Sequence, residues 1–503
     1  MTSYRDIKAI QHSISAERQT AKRHYGVHPY FTRRPFNVVR DYILHYSRPG
    51  DRVIDPFGGS GVTAIEAFLE NRIGIHNDLN PLANFVAGGI ADLAKGNLSN
   101  YRDALAALES TCASILYEIE ESSDADLARR RKQARLPKNI ALPSNSDVTF
   151  LYELFEQKQL VALATIREHV ARISNKYARN AMLLAFSATL AKLNRTFLSA
   201  EGRLASRGGS SIFSIYRYKV AKKPVRLPLW PTFRERAVNV LAAKAEIDQV
   251  IEHKRQSAAG WHGEFQAYDR DVLELPRALG RTADYIFTDP PYGGHIAYLD
   301  LSTMWNAWLG ILPTPARAKH EIIVGGDRRH ADQAYADRLG LSIRACVELL
   351  KPDRWLSVVF QHWNISYFQA ILTAAADSGA DLRAAISQIG DPIWSMHKKK
   401  GSASVLAGEL ILTFFNTGKP IEYKLGQEFD MESELYRLLG EMHEPLYGEA
   451  LFNKIVMRAW QKGAINSLDI SKDDFAQMLL DFGWQYDARG HFWVTGHRSR
   501  RLI

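Results

Sequence analysis

The sequence predicts an α/β fold built on a mostly parallel sheet. Short apolar runs that are typical of buried strands, at residues 51–55 and 73–76, alternate with helical segments. The same alternation returns after about residue 262, with strands expected at 265–268, 285–288, 355–360 and 410–415. Between these two blocks, apolar residues recur at helical spacing, which indicates a largely helical insertion.

Length and composition narrow the class of protein. The chain has 503 residues, which allows about two to four domains. Two cysteines, Cys112 and Cys346, exclude a disulfide scaffold and a cysteine-clustered zinc site, and they suit a reducing cytoplasm. The first ten residues contain no apolar run typical of a signal peptide, and no apolar stretch of about 18 residues predicts a membrane span.

A glycine-rich turn follows the first strand directly and opens a helix. It reads DPFGGSG over residues 55–61. Glycines allow a tight turn and a close approach to a ligand, and the helix N-terminus behind them favours polar or anionic groups. A plain strand–helix turn would also explain the glycines. The candidate ligand residues of this loop are Asp55, Phe57, Gly59, Ser60 and Gly61.

An acidic residue follows the second strand, where a Rossmann-like unit holds a ribose. Asp78 stands 23 positions after Asp55, and Leu79 follows it. A carboxylate at such a place can accept hydrogen bonds from both ribose hydroxyls. An arginine there would indicate a 2′-phosphate, and none is present. The sequence therefore predicts a cofactor that carries a nucleoside with a free ribose.

The tetrapeptide Asp289-Pro290-Pro291-Tyr292 follows the apolar strand at 285–288. Consecutive prolines fix the backbone and remove two donors, so carbonyl groups are left as acceptors. Asp289 and the Pro290 carbonyl could together accept two hydrogen bonds from one amino group, while Tyr292 could stack on a planar ring. This set suits the exocyclic amine of a heteroaromatic base, although a structural Pro-Pro turn is an alternative.

Together these motifs resemble the amino-methylating DNA methyltransferases, which act on adenine N6 or cytosine N4 and use S-adenosyl-L-methionine. The glycine loop is similar to the family motif DPFxGSGTT and departs from it at Val62, and DPPY is the family's catalytic signature. Asp271 and Val272 stand where the family binds the cofactor adenine. His28 and Pro29 resemble the segment that closes over the methionine end. The resemblance covers roughly residues 20–90 and 260–420.

The resemblance implies a Rossmann-like methyltransferase sheet and methyl transfer to the exocyclic amine of a flipped base. The acidic first residue of DPPY, Asp289, favours adenine N6, because serine is more usual in the cytosine-N4 enzymes. No metal and no cysteine nucleophile is required. Alternatives are cytosine-N4 methylation, RNA guanine-N2 methylation, and a DNA-binding regulator without catalytic activity.

The charge favours a nucleic acid as partner, although a basic enzyme without such a partner would show the same surplus, and the resemblance implies duplex DNA. The chain carries a net charge of +9, which favours anionic partners. Residues 129–138 hold six basic and no acidic residues, and a second basic stretch interleaves Phe213, Tyr216 and Tyr218 with cations. Solvated loops would give the same pattern. The candidate DNA-contacting residues are Arg129, Arg130, Arg131, Arg217, Lys219, Lys222, Lys223, Lys398 and Lys399.

The resemblance and the pattern together divide the chain into four parts. Residues 1–100 would form the cofactor half of the methyltransferase core, and residues 261–425 the catalytic half. Residues 101–260 would be a helical, basic insertion that recognises the target, and residues 426–503 a winged-helix-like unit with a hairpin at 484–494. By family habit, a cognate restriction or defence-system protein is a possible further partner.

Overall fold

Seven strands form the centre of the molecule. The computed structural model describes residues 3–17, 23–196, 212–213, 216–256, 260–294, 296–324, 331–388, 409–423, 426–441, 448–468, 470–482, 485–486 and 493–494. The strands of the central sheet are β1 (Arg52–Asp55), β2 (Ile73–Asn77), β3 (Glu264–Tyr268), β4 (Ala283–Thr288), β5 (Leu350–Phe360), β6 (Ala380–Gln388) and β7 (Glu409–Asn416).

The sheet has the order β3-β2-β1-β4-β5-β7-β6. The first five strands in this order are parallel, whereas β7 runs antiparallel to both β5 and β6. The order 3-2-1-4-5 is that of a Rossmann-type sheet, so the predicted fold class is confirmed. The sequence analysis missed β6. This strand is at the sheet edge, and its alanine-rich, alternating sequence has a weak strand signal.

Helices cover both faces of the sheet. They are α1 (Arg23–Gly26), α2 (Phe36–Tyr46), α3 (Val62–Leu69), α4 (Pro81–Asp92), α5 (Leu98–Glu121), α6 (Asp124–Gln133), α7 (Gln157–Ala171), α8 (Lys176–Leu190), α9 (Leu229–Arg255), α10 (Leu275–Leu279), α11 (Tyr298–Leu301), α12 (Thr303–Leu309), α13 (Pro315–Ala318), α14 (Asp332–Leu349), α15 (Ile365–Asp377), α16 (Met431–Glu441), α17 (Gly448–Gln461) and α18 (Lys472–Asp481). Short 3₁₀ turns lie at Tyr4–Asp6, Leu151–Leu154, Val272–Glu274 and Ile465–Ser467.

Two hydrophobic cores lie on opposite faces of the sheet, because successive side chains of a strand point to opposite sides. Val53 and Tyr285 belong to the first core, while their neighbours Ile54 and Ile286 belong to the second. The first core includes α2 to α5 and the helices of the insertion. In that insertion, the 27-residue helix α9 packs against α5 and α8.

The C-terminal helices contribute to the second core. Phe452 of α17 is fully buried and its ring lies 4.7 Å from that of Trp363, which precedes α15. Two further short strands, β8 (Gln485–Tyr486) and β9 (Trp493–Val494), pair antiparallel, as the sequence predicted for a hairpin. The division of the chain into four parts stays a prediction. No helix within the described ranges is both long and apolar enough to cross a membrane.

Candidate active site

Four acidic residues gather at one edge of the sheet. Asp55 ends β1, Asp289 follows β4, and two more acids follow β2 and β3. These four strands are neighbours and parallel, so their carboxyl ends meet at the same edge. The order of the sheet reverses between β1 and β4, which is where open α/β sheets bind ligands. A cleft with an empty volume of about 960 Å³ lies there, and we call it the strand-end cleft.

Most of the predicted cofactor and catalytic residues line this cleft. Those that line it are Asp55, Phe57, Gly59, Ser60, Asp78, Leu79, Asp271, Val272, Asp289 and Pro291. The lining does not include His28, Pro29, Gly61, Pro290 or Tyr292. The structure therefore brings ten of the predicted residues together at one cleft, and the other five do not line it.

The glycine loop has a backbone that other residues adopt only with strain. Gly59 and Gly61 have φ values of 52° and 89°, and Gly61 caps the N-terminus of α3. A Cβ at Gly58 would lie only 2.1 Å from Nδ1 of His76 on β2. The absence of side chains thus lets the loop lie directly against β2 and leaves room in the cleft above it.

The buried carboxylate of Asp55 and the half-buried carboxylate of Asp78 hold the end of β4 and the glycine loop. Asp78 accepts hydrogen bonds from the backbone N–H groups of Gly59 (2.8 Å) and Asn80 (2.7 Å). Asp55 accepts from the Thr288 hydroxyl at 2.8 Å. Burial raises the pKa of Asp55 to about 7 and that of Asp78 to about 6, although these hydrogen bonds oppose the shift.

Asp271 is buried and already has partners. One of its carboxylate oxygens lies 2.8 Å from Nδ1 of His320 and also pairs with Arg338, while the other accepts from the backbone of Leu273. His320 and Asp271 both line the strand-end cleft. A ligand amine could therefore share this carboxylate with His320.

Arg33 connects the segment before α2 to the glycine loop. Its guanidinium donates to the Ser60 hydroxyl (3.0 Å) and to the carbonyls of Tyr25 (2.6 Å) and His28 (2.5 Å). Burial lowers the pKa of Arg33 to about 10. The His28 ring lies outside the cleft and bonds Ser187 at 2.7 Å, so this residue reaches the site through its carbonyl.

The DPPY motif is joined to a second arginine. Arg34 donates to Asp289 at 2.5 Å and to the Tyr292 hydroxyl at 2.6 Å, and it also pairs with Glu409 at the start of β7. The Tyr292 hydroxyl in turn donates to the other oxygen of Asp289 at 2.5 Å. Burial raises the pKa of Asp289, and the charge of Arg34 partly opposes that rise. The Pro291 carbonyl accepts from the Tyr335 hydroxyl.

Several predicted DNA-contacting residues are held by acids of the same chain. Arg129 pairs with Asp126 at 2.9 Å and Arg130 with Glu118 at 2.9 Å, while Arg217 pairs with Asp147. Arg131 lies over the ring of Tyr152. Lys219, Lys222 and Lys223 are exposed. Lys398 and Lys399 fall outside the described residues.

Two aromatic residues of the second basic stretch, Phe213 and Tyr218, pack against other parts of the protein. Tyr218 is fully buried, and its hydroxyl donates to the carbonyl of Leu301 at 2.6 Å. The Phe213 ring packs against Phe31 and Trp305 at 5.4 and 5.6 Å. Tyr218 therefore does not contact nucleic-acid bases, because its ring is packed inside the protein.

The sequence analysis missed several charged residues of the site, among them Arg33, Arg34 and Glu409. Arg33 and Arg34 follow the His28-Pro29 segment closely and precede Pro35, the N-cap of α2. Two adjacent arginines at the start of a helix next to a predicted cofactor segment are a sequence signal for an anion-binding or charge-pairing role. Glu409 has no such signal, since only the antiparallel placement of β7 brings it to Arg34.

Both cysteines are unsuited to nucleophilic attack. Cys112 and Cys346 are buried, and burial raises the pKa of both thiols. Over the described ranges, no group of three His, Cys, Asp or Glu side chains could hold a metal ion.

The fold and the cleft define a Rossmann-like α/β protein with a candidate site at the strand ends, and one comparison indicates its class. Residues 4–123 match the family model of the N6/N4 DNA methylases, described as DNA methylase, so the predicted resemblance is confirmed. A solved structure, the rRNA methyltransferase aviRa from Streptomyces viridochromogenes, is 11% identical with a TM-score of 0.27, over 76% of this chain and 84% of that chain. No curated protein matches the chain.

Proposed function

We propose that this protein is an S-adenosylmethionine-dependent DNA methyltransferase that methylates the exocyclic amine of a flipped base, with adenine N6 as its target. The observation that carries the proposal is the strand-end cleft. Its lining joins the glycine loop after β1 and the carboxylate of Asp78 after β2 to Asp289 after β4. The match of residues 4–123 to the DNA methylases supports the same class of reaction.

The residues of the cleft fit the proposed cofactor. The cleft combines apolar side chains with a few carboxylates and cations, which is the usual character of a small-molecule site. Asp78 would accept the ribose hydroxyls, and Asp271 the amino group of the adenine ring, with Phe57 and Val272 as apolar neighbours. Arg33, the half-buried cation beside Ser60, is placed to attract the cofactor's carboxylate. S-adenosylmethionine would supply a methyl group that is already activated as a sulfonium.

The DPPY motif would orient and activate the amine. Asp289 and the Pro290 carbonyl would accept the two amine hydrogens, which leaves the nitrogen lone pair free for attack. Tyr292 would hold the flipped base by stacking. Fixing the amine in line with the methyl group supplies much of the rate, because it removes the entropic cost of orientation. The carboxylate must be ionised to accept, so the raised pKa of Asp289 moves the acid limit of activity upwards.

Arg34 occupies one acceptor position of Asp289 and would shift towards Glu409 where the amine takes that position. Both oxygens of Asp289 are engaged, one by Arg34 and the other by Tyr292. Glu409 already pairs with Arg34 and could retain it as the amine takes its place. We therefore assign Arg34 and Glu409 as positioning residues that keep the acceptor oriented and the buried charge balanced.

The test is modified-base mass spectrometry on plasmid DNA from cells that express the wild type or Asp289→Asn. The variant keeps the size of the side chain but weakens the acceptor. We expect N6-methyladenine with the wild type, a loss of about a hundredfold or more in the variant, and unchanged binding of S-adenosylmethionine by calorimetry.

Other outcomes would change the proposal in defined ways. N4-methylcytosine would keep the mechanism and replace the base. A mark in RNA alone, such as N2-methylguanine, would overturn DNA as substrate. Cofactor binding without any methyl transfer would favour a DNA-binding regulator.

A further inference from the structure

A second large groove lies apart from the strand-end cleft. Helices α4, α7 and α8 and the residues that end α12 form it, and its empty volume is about 1950 Å³. Four arginines line it, and we call it the arginine groove: Arg135, Arg167, Arg172 and Arg179. Its acids are Asp92 and Glu168.

The positive charge of this groove is largely uncompensated. In the described part of the chain, no carboxylate lies within 4 Å of the guanidinium of Arg135, Arg167 or Arg179. Arg167 and Arg179 donate instead to backbone carbonyls, which leave their charge intact. Arg172 pairs with Glu168 at 2.7 Å, and Asp92 is held by Lys95 at 3.0 Å.

This arrangement contrasts with the basic tract that stands out in the sequence. Arg129 and Arg130 have acidic partners of their own, so binding a phosphate would require breaking those pairs. Three of the four groove arginines face no such competition from the described acids. The planar guanidinium matches phosphate oxygens in a bidentate manner, which makes arginine the preferred residue for phosphate recognition.

The indole of Trp308 adds a neutral hydrogen-bond donor to the arginines of the groove. Trp308 lines it and is fully buried, and its Nε1–H has no hydrogen-bond partner among the described residues. The guanidinium of Arg167 lies 5.7 Å from the centre of the Trp308 ring and donates to the carbonyl of the same residue. A buried donor without a partner costs free energy, which an anionic ligand or a water molecule would recover.

One helix links the groove to the strand-end cleft. Asn80, which caps α4, lines the cleft, whereas Asn84, Phe85, Gly88, Gly89 and Asp92 of α4 line the groove. At 1.5 Å per residue, the groove begins about 6 Å from Asn80 along the helix and extends to about 18 Å. Phosphates of one strand are about 3.4 Å apart along the duplex axis, so this distance corresponds to a few nucleotides.

We propose that the arginine groove binds the phosphate backbone of the DNA substrate a few nucleotides from the target base. This inference rests on the proposed function, because it takes duplex DNA as the substrate of the strand-end cleft. The groove would hold the duplex in register while the base is turned out. It contacts backbone, so it adds affinity without base specificity.

The test is the salt dependence of duplex binding, measured by fluorescence anisotropy on the full-length protein with the double variant Arg135→Gln/Arg179→Gln. Neutralising two phosphate contacts should lower the slope of log K against log salt by about 1.8 and weaken binding. The expected kinetic effect is a higher KM for DNA at an unchanged kcat. Calorimetry should show the wild-type affinity for S-adenosylmethionine.

The matched control is Arg255→Gln/Arg344→Gln, which removes two charges that do not line the groove and that pair with Glu252 and Asp377. If the control lowers the slope as much as the groove variant does, or if the groove variant binds like the wild type while the wild type methylates DNA, the groove proposal is overturned and the proposed function stands. A wild type that methylates RNA and not DNA overturns both.

Discussion

Asp78 shows how one half-buried carboxylate can serve both the protein and a ligand. The backbone N–H groups of Gly59 and Asn80 each bind one of its oxygens, each oxygen retains a further lone pair, and the residue lines the cleft. The residue thus orders the glycine loop and still offers acceptors to hydroxyl groups.

Asp78→Ala should weaken binding of S-adenosylmethionine about ten- to hundredfold, because hydrogen bonds to a charged group contribute roughly 1.5–3 kcal/mol. Isothermal titration calorimetry measures this directly. Asp269→Ala is the control, since that acid is exposed and does not line the cleft. Equal affinities for the Asp78 variant and the wild type would rule out the ribose assignment.

Asp55 makes the stability of the protein depend on pH. Burial raises its pKa to about 7, so the folded state binds the proton more tightly than the unfolded chain does. The free energy of unfolding should therefore fall as the pH rises from about 4 through 7, by roughly 2–3 kcal/mol between pH 5 and 8 from this group. Asp55→Asn keeps an acceptor for Thr288 and removes the charge.

Urea unfolding of the ligand-free protein at pH 5 and pH 8 checks this expectation. The pKa of Asp78 is also raised, to about 6, so the informative quantity is the difference between wild type and Asp55→Asn. The wild type should lose more stability than the variant between the two pH values. Parallel losses would show that Asp55 does not carry the shift.

At the level of elements, the glycine loop packs against α4 so closely at Gly61 that no side chain fits there. A Cβ at Gly61 would lie 2.6 Å from that of Ala87 on α4, and its φ of 89° would strain any other residue. Gly88, on the same helix α4, has no atom within 4 Å of its Cβ position. A side chain is therefore excluded by packing at Gly61, whereas Gly88 has room for one.

Gly61→Ala should destabilise the protein by roughly 1–3 kcal/mol through strain and overpacking. Gly88→Ala should stabilise it by about 0.5–1 kcal/mol, because alanine loses less backbone entropy in a helix interior. Thermal unfolding of both variants at one pH tests the pair. Similar melting temperatures for the two would contradict the close packing of the loop on α4.

For the whole molecule, the shared second core joins the sheet to the C-terminal helices. The ring of Phe452 lies 4.7 Å from Trp363 and 5.4 Å from Phe475, and its side chain is fully buried. Elements that share one core are expected to unfold together.

Phe452→Ala should lower the free energy of unfolding by about 3–5 kcal/mol and should do so for the sheet as well. Amide hydrogen exchange in β4 and β5, measured together with the thermal transition, distinguishes a loss of stability in the sheet from one confined to the C-terminal helices. Leu480→Ala is the control, because Leu480 is largely exposed. A separate early transition that leaves exchange in the sheet unchanged would mean that the C-terminal helices unfold independently.

Local patterns along the chain account for much of this architecture. Six strands of the central sheet follow from apolar runs, and the loop after β1 and the acids after β2 and β4 follow from residue type and spacing. Such features are predictable because the burial of a strand and the backbone conformation of a turn depend on a few adjacent residues. The edge strand β6 has a weaker pattern and was missed.

The partners of charged and aromatic side chains depended on packing between distant segments. Arg34 reaches Asp289 across 255 positions, and Tyr218 reaches Leu301 across 83. Whether a cation is free for phosphate, as in the arginine groove, or paired, as at Arg129, depends on which residues the fold brings within 4 Å. Charge and burial act through space, whereas periodicity acts along the chain, so the motifs were visible in the sequence and their electrostatic surroundings were not.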